Sequence, residues 1–380
     1  MKRRIAVLVS NDLNHDQRVL KTCATLQTHG WSPNLIGRLQ NDSKPLFIPY
    51  SGNRLRLIAE RGFLFYAHLQ LAYFFELLRN RHEAIWSNDL DTLLPAFLVS
   101  KLHRVPLIYD SHEFFTEAAG LTGRPFQRWV WLTLERAIFP SLTSVITVNA
   151  SIAEAYHARY PLARGGKPLV VRNMPRKSVD LNHGKVVLEG DWRTQLNIPV
   201  DATFLILQGA FLDKDRGVKQ AVACLENEPS WYLVIVGGGE EWHWANSQVP
   251  EFNGRLICLP KMPFEELRNL TGSADVGLSL DQGVHGNYWM SLPNKLFDYI
   301  HAGIPVVASA MPEVSQIIQH YEVGEVAQTS TPQAIAAAVV QVLSKTKEHW
   351  IAQCASASDE LNWEQEENQI VLALRQAKAL

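Results

Sequence analysis

The strongest constraint on how this chain can fold is a recurring unit: a short apolar run rich in β-branched residues, then a polar cluster, then a helical pattern. The first run, RIAVLVS, spans Arg4 to Ser10, and Asp12 or Asn14 is placed to open a helix that lasts to His29 and Gly30. An apolar run without alternation marks a strand buried on both faces, as in a parallel sheet covered by crossover helices. The unit recurs at Ala84 to Ser87 with a helix capped at Asp91, at Pro106 to Asp110, and at Ser144 to Val148 with a helix from Ser151 to Tyr160. A doubly wound α/β domain follows, with its ligand site beyond the carboxyl ends of the strands. The clusters Asn11-Asp12, Asn88-Asp89, Asp110-Ser111-His112-Glu113 and Asn149 all fall on that rim.

At 380 residues the chain is too long for one ordinary core, and a second series follows the first. Strands are predicted at Thr203 to Gln208, Trp231 to Val236, Arg255 to Leu259, Val276 to Leu280, Pro305 to Ala308 and Gly324 to Ala327, with helical patterns between them. Between the two series the stretch RNMPRKSVDLNHGK loses apolar periodicity and reads as a linker. The expected organisation is a first domain over 1–172, a linker over 173–185, a second domain over 186–362, and a C-terminal helix over 363–380 that packs back on the first domain.

The second series carries phosphate chemistry. From Asn287 to Ser309 the sequence joins a loop, a helix and a buried strand: Ser291 is a candidate helix cap, Pro293 suits the first turn, and the amides of Asn294 and Lys295 lack intrahelical partners. Such a helix end attracts phosphate, Lys295 adds a full charge there, and Asp298 shares its face and can accept hydrogen bonds from a sugar. Gly209 closes one strand, with Arg216 near the start of the next helix, where a guanidinium can hold a diphosphate. Gly237 to Gly239 let a ligand or another strand come close, and Lys261, followed by Met262, is a further candidate for the phosphate or a base-binding wall. These glycines have neither dinucleotide-fingerprint spacing nor a Walker pattern.

Other chemistries are disfavoured. With 36 Lys plus Arg against 38 Asp plus Glu the formal charge is -2, so no global field recruits nucleic acid. The four cysteines are scattered in apolar segments without a CxxC pair, which argues against zinc, redox chemistry and disulfides and fits a reducing cytoplasm. The start MKRRIAVLVSND is too short in its apolar part for a signal peptide and reads as a strand. Asn88-Asp89-Leu90-Asp91 contains a DxD triplet, but it lies outside the domain with the phosphate features and Asp91 suits a helix cap, so no metal role is assigned. His112, at a strand end, can assist proton transfer or bind a sugar; the alternative is that it and Glu113 cap the next segment. Asp16 lies on the first helix and can face the ligand, whereas Lys21 reads as solvated. Gly62 to Phe75 is an apolar run too short to span a bilayer. It reads as a core helix, the alternative being an interfacial helix on an anionic membrane, flanked by Arg54, Arg56, Arg61, Arg79, Arg81 and His82.

Taken together, NDLNHDQRVLKTCATLQTHGW, WSNDLDTLLPAFLVSKL, LIYDSHEFF and PNKLFDYIHAGIPVVAS resemble the motifs of the retaining glycosyltransferases of family four over nearly the whole chain. The resemblance implies a GT-B fold, two doubly wound Rossmann-like domains facing a central cleft, with the nucleotide sugar on the second domain and the acceptor on the first. Arg216 matches the basic residue of the family's (K/R)G step, and Asp298 the second glutamate of its E-x7-E motif, which binds the ribose. Two positions depart from the pattern. The first glutamate falls on Met290, and the arginine expected six positions before Arg216 is Ala210.

The function this implies is transfer of a sugar from a nucleoside-diphosphate donor to a saccharide or lipid-linked acceptor, with retention and no obligatory metal or other cofactor. His112, Arg216 and Lys295 are the expected catalytic groups. Gly209, Arg216, Gly237, Lys261, Met262, Pro293, Asn294, Lys295 and Asp298 are expected to hold the donor, and Asp16, Asp89 and Glu113 lie on the acceptor side. The expected setting is cytoplasmic, with peripheral contact to the inner membrane face. The alternatives are a sugar-nucleotide epimerase on the same scaffold and a non-catalytic GT-B subunit.

Overall fold

The computed structural model describes residues 3–379 except 15, 42, 61, 178–190, 227 and 284–285. Most of the predicted linker, from residue 178 on, and Arg61 of the basic cluster therefore lie outside the described residues. The chain divides into two compact units, Met1–Asn173 with Trp363–Leu380, and Met174–Asn362.

In the first unit, seven parallel strands are β1 (Arg3–Leu8), β2 (Trp31–Leu39), β3 (Ser51–Arg56), β4 (Ala84–Asn88), β5 (Leu107–Ser111), β6 (Val145–Thr147) and β7 (Leu169–Val170). Their order is β3-β2-β1-β4-β5-β6-β7, so the winding direction reverses between β1 and β4. The apolar run that defines β1 is fully buried from Ile5 to Leu8, because helices cover both faces. One of these helices, Trp363–Gln376, sets Trp363, Ile370 and Leu374 against Ile5, Trp86 and Ile146, and its Glu366 receives three bonds from Arg172 at 2.8–2.9 Å.

β2, β3 and β7 are not among the predicted strands. β3, SGNRLR, is an edge strand with no buried residue, and β2 carries Pro33 among polar residues. The proline is tolerated because pairing with β3 begins one residue later, at Asn34. The first helix also starts later than expected, at Gln17, with Asp16 as its cap: Asp16 Oδ1 accepts the Val19 amide at 3.1 Å. The apolar run forms the helix Phe63–Arg79, which buries Phe65, Leu69, Tyr73 and Leu77 along one stripe.

The second unit has β8 (Thr203–Gly209), β9 (Trp231–Gly237), β10 (Leu256–Pro260), β11 (Val276–Ser279), β12 (Val306–Ser309) and β13 (Gly324–Ala327), all parallel, in the order β10-β9-β8-β11-β12-β13. Here the reversal falls between β8 and β11. Alternate residues of β8 feed two cores, Phe204 and Ile206 on one face, Leu205 and Leu207 on the other. The helix Asn294–His301 buries Leu296, Phe297, Tyr299 and Ile300 against the first of these. Tyr299 ties it to the reversal: its hydroxyl accepts the Gln208 amide at 3.2 Å and donates to the Leu278 carbonyl at 3.1 Å.

Candidate functional site

In an open parallel sheet the crevice at the strand reversal is where ligands bind, since the loops there part to opposite sides. In the second unit that position is occupied by Asp281, just past β11, with its side chain 3% exposed. Arg216 Nη1 lies 2.9 Å from Asp281 Oδ1, and Lys295 Nζ lies 2.9 Å from Oδ2. Burial works to raise the Asp281 carboxyl pKa, but Lys295 and then Arg216 outweigh it and hold the group below its ordinary value. Two cations on one carboxylate leave about one unit of positive charge.

The backbone places Arg216. Gly217 has φ +77 and caps the helix Val218–Cys224; a Cβ there would lie 2.3 Å from Leu280 Cβ. Only glycine lets the helix start approach the end of β11 this closely, which brings Arg216 to Asp281. The guanidinium also lies 4.6 Å over the Tyr288 ring. Its one hydrogen bond among the described residues is Nη1 to Asp281, so Nε and Nη2 remain as donors.

The helix Asn294–His301 presents its N-terminus to the same reversal. Its cap differs from the expected one: Pro293 holds the cap position with no side-chain bond, and Ser291 lies further out, its buried Oγ without a partner among the described residues. One turn on, Asp298 Oδ2 accepts from Gln208 Nε2 at 3.1 Å, and Gln208 Oε1 accepts from Thr271 Oγ1 at 2.7 Å. Lys295 and Asp298 thus bridge the two strands of the reversal, one reaching Asp281 beyond β11 and the other Gln208 on β8.

The glycine run has a different use from ligand approach at Gly237. A Cβ on Gly237 would lie 1.9 Å from the carbonyl oxygen of Gly209, so this glycine serves strand pairing. Lys261 is exposed, its ammonium 3.7 Å over the Phe211 ring, and Met262 packs on the core. These two belong to the neighbouring rim past β8 and β10 and do not join the Asp281 cluster. Ala210 is exposed at the end of β8, and Met290 follows the short helix Gly286–Trp289. Asp281, Gln208 and Tyr288 are additions that sequence reasoning missed, although a polar residue directly after the strand VGLSL was a usable signal.

The first unit has its own polar cluster at the β1/β4 reversal and the adjoining end of β5. Arg18 holds Asp110 through two bonds, Nη2 to Oδ1 at 2.7 Å and Nε to Oδ2 at 3.3 Å, and donates through Nη1 to the Val171 carbonyl at 2.7 Å. Burial works to raise the Asp110 pKa, but Arg18 and His112 hold it well below the carboxylate range. His112 has Nδ1 3.4 Å from Asp89 Oδ2, and Nε2 3.1 Å from Asn88 Oδ1 and 3.8 Å from Asp110 Oδ2. Both nitrogens face oxygens, the arrangement of an imidazolium. Burial opposes that charge, yet Asp89 and Asp110 prevail and push the His112 pKa up to about 9.

Asp89 is held in an unusual conformation. Its φ of 60° and ψ of 167° lie in a region almost confined to glycine, a strain of about 1–3 kcal/mol that persists only where surroundings enforce it. The enforcing bonds are its own amide to the Asp110 carbonyl at 2.8 Å and the His112 amide to Asp89 Oδ1 at 2.9 Å. Asp89, not Asp91, occupies the cap position of the helix Leu90–His103, correcting the expected cap. Asp91 is buried in the first turn, its pKa raised to about 7 by burial and by Asp89. Asp16 is committed to capping, Glu113 is partly exposed beside His112, and Lys21 lies 4.9 Å over the Trp363 ring, less solvated than expected.

Two family models match the chain: Glycosyl transferase 4-like domain over residues 16–173, and Glycosyl transferases group 1 over residues 215–345. Among solved structures the chain is similar to sucrose-phosphate synthase from Thermosynechococcus elongatus, at 20% identity and a TM-score of 0.76 with 99% of each chain covered. It is also similar to an Anabaena HepE structure in complex with UDP-glucose, at 15% identity and TM-score 0.70, covering 98% of this chain and 99% of that one. An E. coli trehalose-6-phosphate structure bound with UDP-2-fluoro glucose aligns at 11% identity and TM-score 0.72, with 99% of each chain covered. No curated protein sequence matches. At these identities the structural likeness establishes a shared two-domain fold.

Proposed function

The chain belongs to the group 1, family-four-like glycosyltransferases of GT-B fold, and from that premise we propose that it moves a sugar from a nucleoside-diphosphate donor to a hydroxyl of a saccharide or lipid-linked acceptor, retaining configuration without an obligatory metal. The observation that carries the reading is the pair Arg216 and Lys295 held on Asp281 at the strand reversal of the second sheet. As the glycosidic bond breaks, its electron pair leaves with the diphosphate, which gains negative charge. Groups fixed beforehand around that charge stabilise the transition state more than the ground state. Arg216 supplies Nε and Nη2, and the amides of Asn294 and Lys295 supply the helix end. Asp281 keeps both cations in place, so they need no reorganisation during the reaction. Asp298, steadied by Gln208, accepts from the ribose hydroxyls, Gly209 and Pro293 flank the diphosphate, and Lys261, on the neighbouring rim, is left to reach the outer part of the donor.

The acceptor hydroxyl attacks the anomeric carbon from the face the nucleotide leaves, and its proton passes to the departing phosphate oxygen. His112, charged at neutral pH and with both ring nitrogens facing Asp89 and Asn88, supplies a fixed positive charge on the acceptor side in place of a base, with Asp89 orienting it and Glu113 contacting the acceptor. The UDP complexes among similar structures make uridine nucleotides the first donors to test.

A membrane-borne acceptor is favoured by the outer face of the helix Phe63–Arg79. Phe63 is 81% and Phe75 51% exposed, Leu64 and Leu71 lie on the same outer side, and Arg79 and Arg81 follow. No helix among the described residues is long and apolar enough to cross a membrane. The proposed contact is therefore peripheral, apolar side chains in the interface and arginines on anionic headgroups.

The test is calorimetric titration with UDP and UDP-glucose, followed by a transfer assay on the preferred donor. Arg216→Ala and Lys295→Ala should each keep the fold and lower turnover ~100-fold or more, the cost of losing one oxyanion-type donor. Near-wild-type rates in both variants, or steady isomerisation of the donor without acceptor, would overturn the reading.

A further inference from the structure

A cavity of about 450 Å³ lies in the first unit, at the amino-terminal ends of β5 and β6 and thus at the opposite end of the sheet from the His112 cluster. Its lining includes Lys101, Arg104, Arg164 and Lys378 and contains no carboxylate. None of these four side chains has an ion-pair partner among the described residues. Its size suits a small ligand.

Helix dipoles explain part of this charge. Lys101 and Arg104 sit at the end of the helix Leu90–His103, and Lys378 just past the end of Trp363–Gln376, where cations are favoured. Arg164 lies in a loop, its amide bonded to the Pro140 carbonyl at 3.1 Å. Two helix ends also carry only about one negative charge together, which leaves an excess of about three positive charges around one cavity.

The backbone gives a second, independent sign. Arg104, directly after its helix, has φ 56°, and Lys378, one residue further past its own, has φ 59°, left-handed positions where glycine is the usual and strain-free residue. Both side chains line the cavity. Phe97 adds an aromatic wall, 5.2 Å beneath the Lys101 ammonium.

We propose that this cavity is a second anion site, separate from the donor site, and that its ligand is a phosphate ester carrying at least two negative charges. Such an ester is either a soluble phosphorylated metabolite or the headgroup of an anionic lipid.

The probe is inorganic pyrophosphate, titrated calorimetrically at low ionic strength into wild-type protein, Arg216→Ala, and the double variant Arg104→Gly/Lys378→Gly. The glycine replacements remove the cations while relieving left-handed backbone, so the fold is retained, and a thermal melt verifies it. The expected result is a binding event that persists in Arg216→Ala and is about tenfold weaker or lost in the double variant, as two charge contacts to an exposed anion are removed. Absence of that event in wild type, its loss in Arg216→Ala, or an unchanged isotherm in the double variant would overturn the proposal. The source is read from sedimentation with vesicles containing phosphatidic acid, whose headgroup is a phosphate monoester. Reduced sedimentation of the double variant supports the site with a lipid headgroup as ligand, and equal sedimentation beside lost pyrophosphate binding supports it with a soluble ester.

Discussion

The charge on His112 can be tested through the strained residue that holds it. With a pKa of about 9 in the folded chain and an ordinary value of 6.5, the imidazolium contributes roughly 3 kcal/mol to folding. Because the folded value is the higher one, the contribution is complete below about pH 6.5 and disappears as pH rises through about 9; integrated from about pH 7.5 to 10 the loss is roughly 2 kcal/mol. Asp91, raised to about 7, has its own window below that range. Asp110 is already neutralised by two bonds from Arg18, whereas Asp89 meets His112 through both its amide and its ring, so Asp89 carries the larger share. Asp89→Gly should therefore lower the His112 pKa by about one unit or more. The same change relieves about 1–3 kcal/mol of backbone strain, so the variant should fold at least as well near pH 10, where the ion pair no longer contributes. The assay is an NMR titration of the His112 Cε1 proton, assigned by comparison with His112→Gln, beside denaturant melts at each pH. A wild-type His112 that titrates near 6.5, or one whose titration is unmoved by Asp89→Gly, refutes this reasoning.

Asp281→Ala leaves the buried Lys295 and the partly exposed Arg216 without their carboxylate and should destabilise the second unit by about 3 kcal/mol, read as an earlier thermal transition. Gly217→Ala should cost more than about 2 kcal/mol, since its Cβ would meet Leu280 backbone and Cβ, and it should also weaken UDP binding by displacing Arg216; an unchanged melt and affinity would refute the placement. Phe63→Ser/Phe75→Ser should change stability by no more than about 0.5 kcal/mol per site while reducing sedimentation with anionic vesicles. If the wild type fails to sediment with such vesicles, the membrane contact is wrong.

The parts of the molecule legible in the sequence are those set by local pattern. The runs at Ile5, Ile85, Leu205 and Val306 are apolar without alternation because helices cover both sheet faces, and the run itself reports that environment. β3 has no such report: SGNRLR lies on an edge, and its place is fixed by pairing with β2 from Asn34 on. The same division runs through the site. Lys295 and Asp298 were readable because both lie on one helix at a spacing that sets a shared face. Asp281, the residue that makes Arg216 and Lys295 a unit, is 65 positions from one and 14 from the other, and only the strand reversal brings the three together. That geometry bears on the departures at Met290 and Ala210. A buried carboxylate orients Arg216 and Lys295, so in the proposed donor site the positive charge offered to a diphosphate is set through Asp281.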